Sequence, residues 1–358
     1  MPVTPLPLLE PPGNLCLLRL SALGDVSHLV PVVRSIQAQW PATRIHWCLG
    51  KLEHQLVGDI PGIRFHVFDK TLGWRAPFGL RRQLSGERFD ILLHAQVSMR
   101  ANLASLTIPA PVRLGYDRGR SRDLHGLFIN RRIPAASGQH VLDSFFSFAR
   151  TLGVDHRELR WDIPVPAADR EAAARLTAGD EPVLIISPCS SHPLRNWRAE
   201  RYAQVADYAV ARHGFRIVLC GGPSALERTM GDAIVAAMSS PARDLIGKDT
   251  IKQLLALLEH ANLLISPDSG PMHLATAVGT PVIGLHAASN PRRSGPYLSQ
   301  RWCVDRYDDA ARKFLRRPAA ALRWGARIER PGVMDLVTVD DVVERLDAFV
   351  ADGGPTQA

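Results

Sequence analysis

Residues 261–291, ANLLISPDSGPMHLATAVGTPVIGLHAASNP, constrain the fold more than any other stretch of the chain. The apolar run 263–266 stops at Pro267 and Asp268, and Ser269, Gly270 and Pro271 open a helical segment through His273 to about Val278. Proline at the first helical position costs no hydrogen bond, because that N–H has no partner within the helix. Gly279 ends the helix, and a second apolar run, 281–286, follows at once. The result is a strand–turn–helix–strand unit. Backbone N–H groups from Ser269 to His273 point out of the helix start, where negative charge is favoured. In open α/β sheets, ligands bind at that edge.

The same alternation recurs along the whole chain. Runs at 15–20, 44–49, 64–68, 89–94 and 112–115 read as short buried strands, with helical stretches at 25–40, 77–84, 98–106 and 140–152 between them. The stretch WDIPVPAADREAAARLTAGD, broken by prolines and holding a short alanine-rich helix, reads as a linker, after which strands and helices begin afresh from 183 to 286. Strands that alternate with helices imply parallel sheets covered on both faces. A chain of 358 residues exceeds one ordinary core. The expectation is therefore α/β, with two Rossmann-like doubly wound domains at 1–165 and 181–338, a linker at 166–180, and a last amphipathic helix, 339–358, able to pack back on the first domain. The basic stretch 306–330 resists assignment. The proline-rich start, MPVTPLPLLEPPGN, reads as a floppy leader rather than a secretory signal.

No apolar stretch approaches the roughly 20 residues needed to span a bilayer. Cys16, Cys48, Cys189, Cys220 and Cys303 show no zinc-type spacing, so reduced, buried thiols and a cytoplasmic location are expected. The net charge is +8, with basic clusters at 113–132 and 306–330. Polyanions, an anionic membrane face and a phosphorylated substrate all suit such clusters. The chain carries no zinc finger, RNA motif or convincing helix-turn-helix, so nucleic acid is not the expected partner.

Four motifs carry possible chemistry. In RLSALGDVSH, Asp25 stands at a helix start, either as a cap or as a carboxylate placed to accept a proton from a substrate hydroxyl. In SPCSSHPLRNW, Ser190, Ser191 and Arg195 offer hydroxyl and guanidinium donors suited to a diphosphate, or form an ordinary polar loop. In VLCGGPSALE, Gly221 and Gly222 let backbone approach a ligand. Glu227 there reaches a ribose hydroxyl or simply favours the helix dipole, while Lys248 meets a phosphate or lies in solvent. In DSGPMH, Asp268 is a cap or a ligand contact and His273 a core residue or a donor. No glycine pattern of the ordinary dinucleotide or P-loop type is present.

Together with HAQVSMR, RLGYDR, HVLDSFFSFARTLGV and DLIGKDTIKQLLALL, these strings resemble glycosyltransferase family 9, the heptosyltransferases of lipopolysaccharide core assembly, over about residues 14–300. The resemblance implies a GT-B fold whose two domains face each other across a cleft, with donor bound by the second and acceptor by the first. It implies inverting transfer of heptose from ADP-heptose to the Kdo/heptose inner core, with Asp25 as general base. Ser190, Ser191, Arg195, Gly221, Gly222, Glu227, Lys248, Asp268, Ser269, Gly270 and His273 would hold the donor. Arg113, Arg118 and Arg120 would face the lipid-linked Kdo/lipid A acceptor or the anionic inner face of the inner membrane, where the enzyme would sit peripherally. No metal or cofactor is expected, since no convincing DxD-type acidic pair is present. Two departures stand out: Arg195 occupies a place where relatives usually carry lysine, and Glu227 is displaced from the glycines. The competing readings are an epimerase or transferase using a UDP-sugar, and a non-catalytic polyanion-binding protein.

Overall fold

The computed structural model describes residues 5–354. The chain divides into two compact units, Met1–Pro164 and Val165–Ala358. In the first, β1 (Asn14–Leu18), α1 (Leu23–Gln39), β2 (Arg44–Gly50), α2 (Lys51–Val57), β3 (Ile63–Phe68), α3 (Ala76–Gln83), β4 (Ile91–His94), α4 (Met99–Ser105), β5 (Val112–Gly115), β6 (Arg131–Arg132) and α5 (Val141–Leu152) follow one another. In the second come α6 (Ala167–Thr177), β7 (Val183–Ile186), α7 (Ala199–His213), β8 (Arg216–Leu219), α8 (Ala225–Ala237), β9 (Ala242–Asp244), α9 (Ile251–His260) and β10 (Leu263–Pro267). Then α10 (Gly270–Val278), β11 (Val282–His286), α11 (Pro291–Ser294), β12 (Val304–Asp305), α12 (Tyr307–Leu315) and α13 (Val339–Ala351) complete it.

Both sheets have six parallel strands in the same relative order, β3-β2-β1-β4-β5-β6 and β12-β11-β10-β7-β8-β9. Read outward from the first strand of each unit, this is the doubly wound Rossmann order. Its strand sequence reverses between β1 and β4, and again between β7 and β10. Every residue of β4, β7, β10 and β11 is buried. Continuous apolar runs, rather than alternating ones, are what a sheet covered by helices on both faces requires. The loops that leave β1, β4, β7 and β10 therefore gather at the two reversal points.

Several expectations are corrected. The short alanine-rich helix expected in the linker is α6, but it is packed rather than free, lying along α9 and tied to it through Arg170 Nε and Nη2 on Glu259, at 2.8 and 3.0 Å. The last helix, offered to the first unit by its amphipathic pattern, belongs to the core of the second. There α13 packs on α7, with Asp347 accepting from Tyr208 Oη at 2.9 Å and pairing with His213 Nε2 at 2.6 Å. The leader is fastened where it is described: the Leu8 N–H donates to the Leu152 carbonyl at 2.9 Å, and Thr43 Oγ1 donates to the Pro12 carbonyl at 2.7 Å. The unassigned basic stretch is built in through α12, the Tyr307 hydroxyl on the Ala326 carbonyl at 2.8 Å, and buried Ile328. All five cysteines are free and buried, as expected. No described helix is long and apolar enough to cross a membrane.

Candidate functional site

In the first unit the chain leaves β1 at Arg19 and enters α1 at Leu23. The N-cap is Ala22, whose side chain cannot accept a hydrogen bond, and Asp25 lies in the first turn instead. The capping reading of Asp25 therefore does not describe how its carboxylate is used. Arg19 Nη2 donates to Asp25 Oδ2, and among the described residues Arg19 is the carboxylate's one hydrogen-bond partner. The arginine is itself fixed: Nη1 donates to the Ala95 carbonyl beyond β4 at 2.7 Å, and its guanidinium carbon lies 5.4 Å from the centre of the Phe145 ring. The Leu20 N–H donates to Gln96 Oε1 at 2.6 Å, which joins the same two loops again. The Arg19 side chain is 13% exposed and that of Asp25 31%, so the carboxylate is held on one side and open to solvent on the other.

The three arginines expected to face an acceptor separate. Arg113 spends its guanidinium inside the fold: Nε donates to the Phe128 carbonyl, Nη1 to Ile108, and Nη2 to the Ser105 carbonyl and hydroxyl, all at 2.8 Å. Arg120 donates to Asp117, to Gln139 Oε1 at 3.0 Å, to Ser144 Oγ at 2.9 Å and to the Pro134 carbonyl at 2.8 Å. Both fasten loops. Arg118 is exposed.

In the second unit the loop after β7 folds on itself. Asn196 Oδ1 accepts from the Ser190 N–H at 2.7 Å and from its hydroxyl at 2.9 Å, while Ser191 is exposed. Arg195 is buried, with Nε 3.3 Å from Glu329 Oε1. Burial lowers its proton affinity, the neighbouring Arg327 lowers it further, and Asp268 and Glu329 oppose the change. Two guanidinium groups and two carboxylates thus share one neighbourhood at the end of β7. An anionic ligand suits such a place, because it relieves the repulsion between Arg195 and Arg327.

The loop after β10 completes this edge. Asp268 accepts from Ser294 Oγ at 3.1 Å and lies 4.0 Å from His273 Nε2. Burial alone would raise its pKa, but the charges of His286, His273 and Arg327 and the Ser289 hydroxyl hold it below the usual carboxylate range. Ser269, not Asp268, is the N-cap of α10, and Pro271 follows Gly270 as the second helical residue. The Ser269 hydroxyl makes no capping bond; it lies 2.8 Å from Ser266 Oγ, which donates to the Ser187 carbonyl at 2.9 Å. The start of α10 is left without a side-chain cap, which favours an anion there.

Beyond β8, Glu227 Oε1 accepts from the Gly222 N–H at 2.8 Å and Oε2 from Ser224 Oγ at 2.6 Å. A side chain at Gly222 would place its Cβ 2.8 Å from this carboxylate, so Glu227 would have to shift to admit one. Glu227 shapes that loop, and Gly221 lies beside it. Burial, helped by Glu227, raises Asp249 to about 6. Lys248 is exposed and donates to the Asp244 carbonyl at 2.8 Å, away from the Arg195 group's contacts. Arg19, Arg327, Glu329, His286, Ser289 and Ser294 escaped the sequence reading. Arg19 alone carried a visible sign, as the basic residue that opens RLSALGD directly after β1. No group of three or more His, Cys, Asp or Glu residues able to hold a metal occurs among the described residues.

Comparison with known proteins bears on the family and the fold. Residues 78–321 match the family described as glycosyltransferase family 9 (heptosyltransferase). The chain is 38% identical to the lipopolysaccharide core heptosyltransferase OpsX of Haemophilus influenzae, over 94% of this chain and 97% of that one. Among solved structures it resembles a family 9 glycosyltransferase of Veillonella parvula, with a TM-score of 0.76, 23% identity and 95% and 97% of the two chains covered. It also resembles the E. coli heptosyltransferase WaaC with ADP, with a TM-score of 0.70, 18% identity and coverage of 94% and 99%. These structures share its fold, two Rossmann-like units of the GT-B class.

Proposed function

The chain belongs to glycosyltransferase family 9, and on that premise we propose that it transfers heptose from ADP-heptose to the inner core of lipopolysaccharide. The observation that carries this reading is end-to-end likeness to a lipopolysaccharide core heptosyltransferase, 38% identical over 94% of this chain. A solved relative that holds ADP supports the nucleotide.

In this mechanism the Asp25 carboxylate accepts the proton of an acceptor hydroxyl as the oxygen attacks the anomeric carbon. The new glycosidic bond forms on the face opposite the nucleotide, the bond to the diphosphate breaks, and the configuration inverts. A carboxylate is a weak base for an alcohol, so the proton moves late, when the sugar carbon is already cation-like. Arg19 holds the carboxylate aimed. Negative charge gathers on the departing ADP, and Arg195, with Arg327 beside it, meets that charge together with the N–H groups at the start of α10. Fixed donors of this kind stabilise a leaving diphosphate, and the reaction proceeds without a divalent metal. Asp268 and His273 position the donor's sugar and phosphate groups, with Ser190, Ser191 and Gly270 lining the same edge.

The test is a donor panel of ADP-heptose, UDP-sugars and GDP-sugars offered with Kdo-lipid A and with heptosylated acceptors, each with and without EDTA. Transfer from ADP-heptose alone, unaffected by EDTA, is expected. Turnover of a UDP-sugar in preference would overturn the donor assignment.

A further inference from the structure

The first unit shows an apolar and basic face that nothing in the chemistry above uses. Helices α3 and α4 lie side by side. Their inner residues Ala76, Leu80, Ala101 and Ala104 enter one hydrophobic cluster over the sheet, so their outer faces share the opposite surface. On α3 and the turn before it, Trp74 is 75% and Phe78 62% exposed, their rings edge to face at 6.2 Å. On α4, Met99, Leu103 and Leu106 are exposed at i, i+4 and i+7, an outward stripe on a helix whose inner side is already satisfied.

The charge carried by α3, α4 and the turn before α3 has one sign. Arg81 and Arg82 stand one helical turn beyond Phe78, Arg75 lies 5.2 Å from the Trp74 ring, and Arg100 follows Met99; all four are exposed. Neither 70–86 nor 91–116 contains a single aspartate or glutamate. Aromatic and aliphatic side chains among arginines, without carboxylates, match the interfacial layer of an anionic bilayer. There the rings enter the headgroup zone and the guanidinium groups meet phosphate. A second protein surface would need its own dense acidic patch opposite these arginines, whereas an anionic bilayer presents phosphate everywhere.

We infer that α3 and α4 form the surface by which this protein docks on anionic phospholipid. The inference rests on the reading that its acceptor is lipid-linked, since docking brings the enzyme to a substrate anchored in the same membrane. It also moves the membrane contact from 113–132, where Arg113 and Arg120 are engaged within the fold, to the Trp74–Phe78 and Met99–Leu106 stripes.

The test is co-sedimentation of the full chain with vesicles of phosphatidylethanolamine and phosphatidylglycerol, and with vesicles of phosphatidylcholine. Two double variants accompany it, Trp74→Ser with Phe78→Ser, and Arg81→Glu with Arg82→Glu. The wild type should bind the anionic vesicles and largely ignore the neutral ones, and each double variant should lose roughly tenfold or more in partitioning. Both variants should melt like the wild type and still transfer heptose to a deacylated, water-soluble acceptor. Wild-type indifference to anionic vesicles overturns the docking surface, as does unchanged binding by both variants. Self-association lost in the variants, without vesicle binding, overturns it in favour of a second copy. Correct vesicle behaviour with no heptose transfer by any form leaves the surface standing and removes the functional reading.

Discussion

Arg19 and Asp25 form an ion pair between the end of β1 and the first turn of α1, and the arginine is itself anchored on the Ala95 carbonyl beyond β4. The pair spans the point where the first sheet reverses its strand order. A carboxylate held this way is fixed on one side and remains open to solvent on the other.

Asp25→Asn retains size and polarity but cannot accept the proton. It should lower kcat about 10²–10⁴-fold, the usual worth of general-base catalysis. ADP affinity, set in the second unit, should stay unchanged by calorimetry. Near-normal turnover in this variant would remove Asp25 from the chemistry.

Arg195→Ala should weaken ADP binding by about tenfold or more, since a hydrogen bond to a charged group contributes about 1.5–3 kcal/mol. Arg195→Lys should recover only part, because an ammonium lacks the planar fork of the guanidinium. Arg327→Ala should weaken the same affinity. Binding indistinguishable from wild type in Arg195→Ala would refute the grip.

Arg113 and Arg118 should part company despite standing five residues apart. Arg113→Ala strands the Ser105, Ile108 and Phe128 carbonyls and should cost about 2–4 kcal/mol in urea unfolding. Arg118→Glu lies on the surface and should stay within about 0.5 kcal/mol. Its effect should appear instead as a raised KM for lipid acceptor. Equal stability of the two variants would contradict the structural role of Arg113.

Acid should destabilise the first unit before most carboxylates titrate. Burial, assisted by His46 and Arg64, holds His66 down at about 4, and burial with Arg132 does the same for His125. Free histidine titrates near 6.5. Between these values the unfolded chain binds protons that the native chain refuses, so stability is present above about pH 6.5 and is lost as pH falls toward 4. Urea midpoints measured at intervals between about pH 7 and 5 should fall steadily. A flat profile would show that these imidazoles protonate without cost.

Much of the architecture was legible because burial writes itself into short runs. The stretch 183–286 shows its strands as unbroken apolar segments and its helices by caps and glycine stops, as at Gly279 and Gly214, both left-handed in the structure. Short elements escaped: α2 and β6 are too brief to show a period, and α12 hid within a run of charge. The linker and the last helix were misplaced for a different reason. An amphipathic pattern states that a face will be buried, but not against which neighbour, and α6 and α13 found theirs in the second unit.

The candidate site divides in the same way. Asp25, Ser269, Gly270 and His273 belong to local turns whose geometry is set by adjacent residues, so sequence alone determined that they stand at sheet edges. That Arg113 and Arg120 are consumed by distant carbonyls, that Glu329 and Arg327 arrive beside Arg195, and that Trp74 and Met99 share one surface were decided only by the tertiary structure. Each depends on a partner many positions away along the chain, and local periodicity holds no information about which remote group will saturate a donor or cover a face.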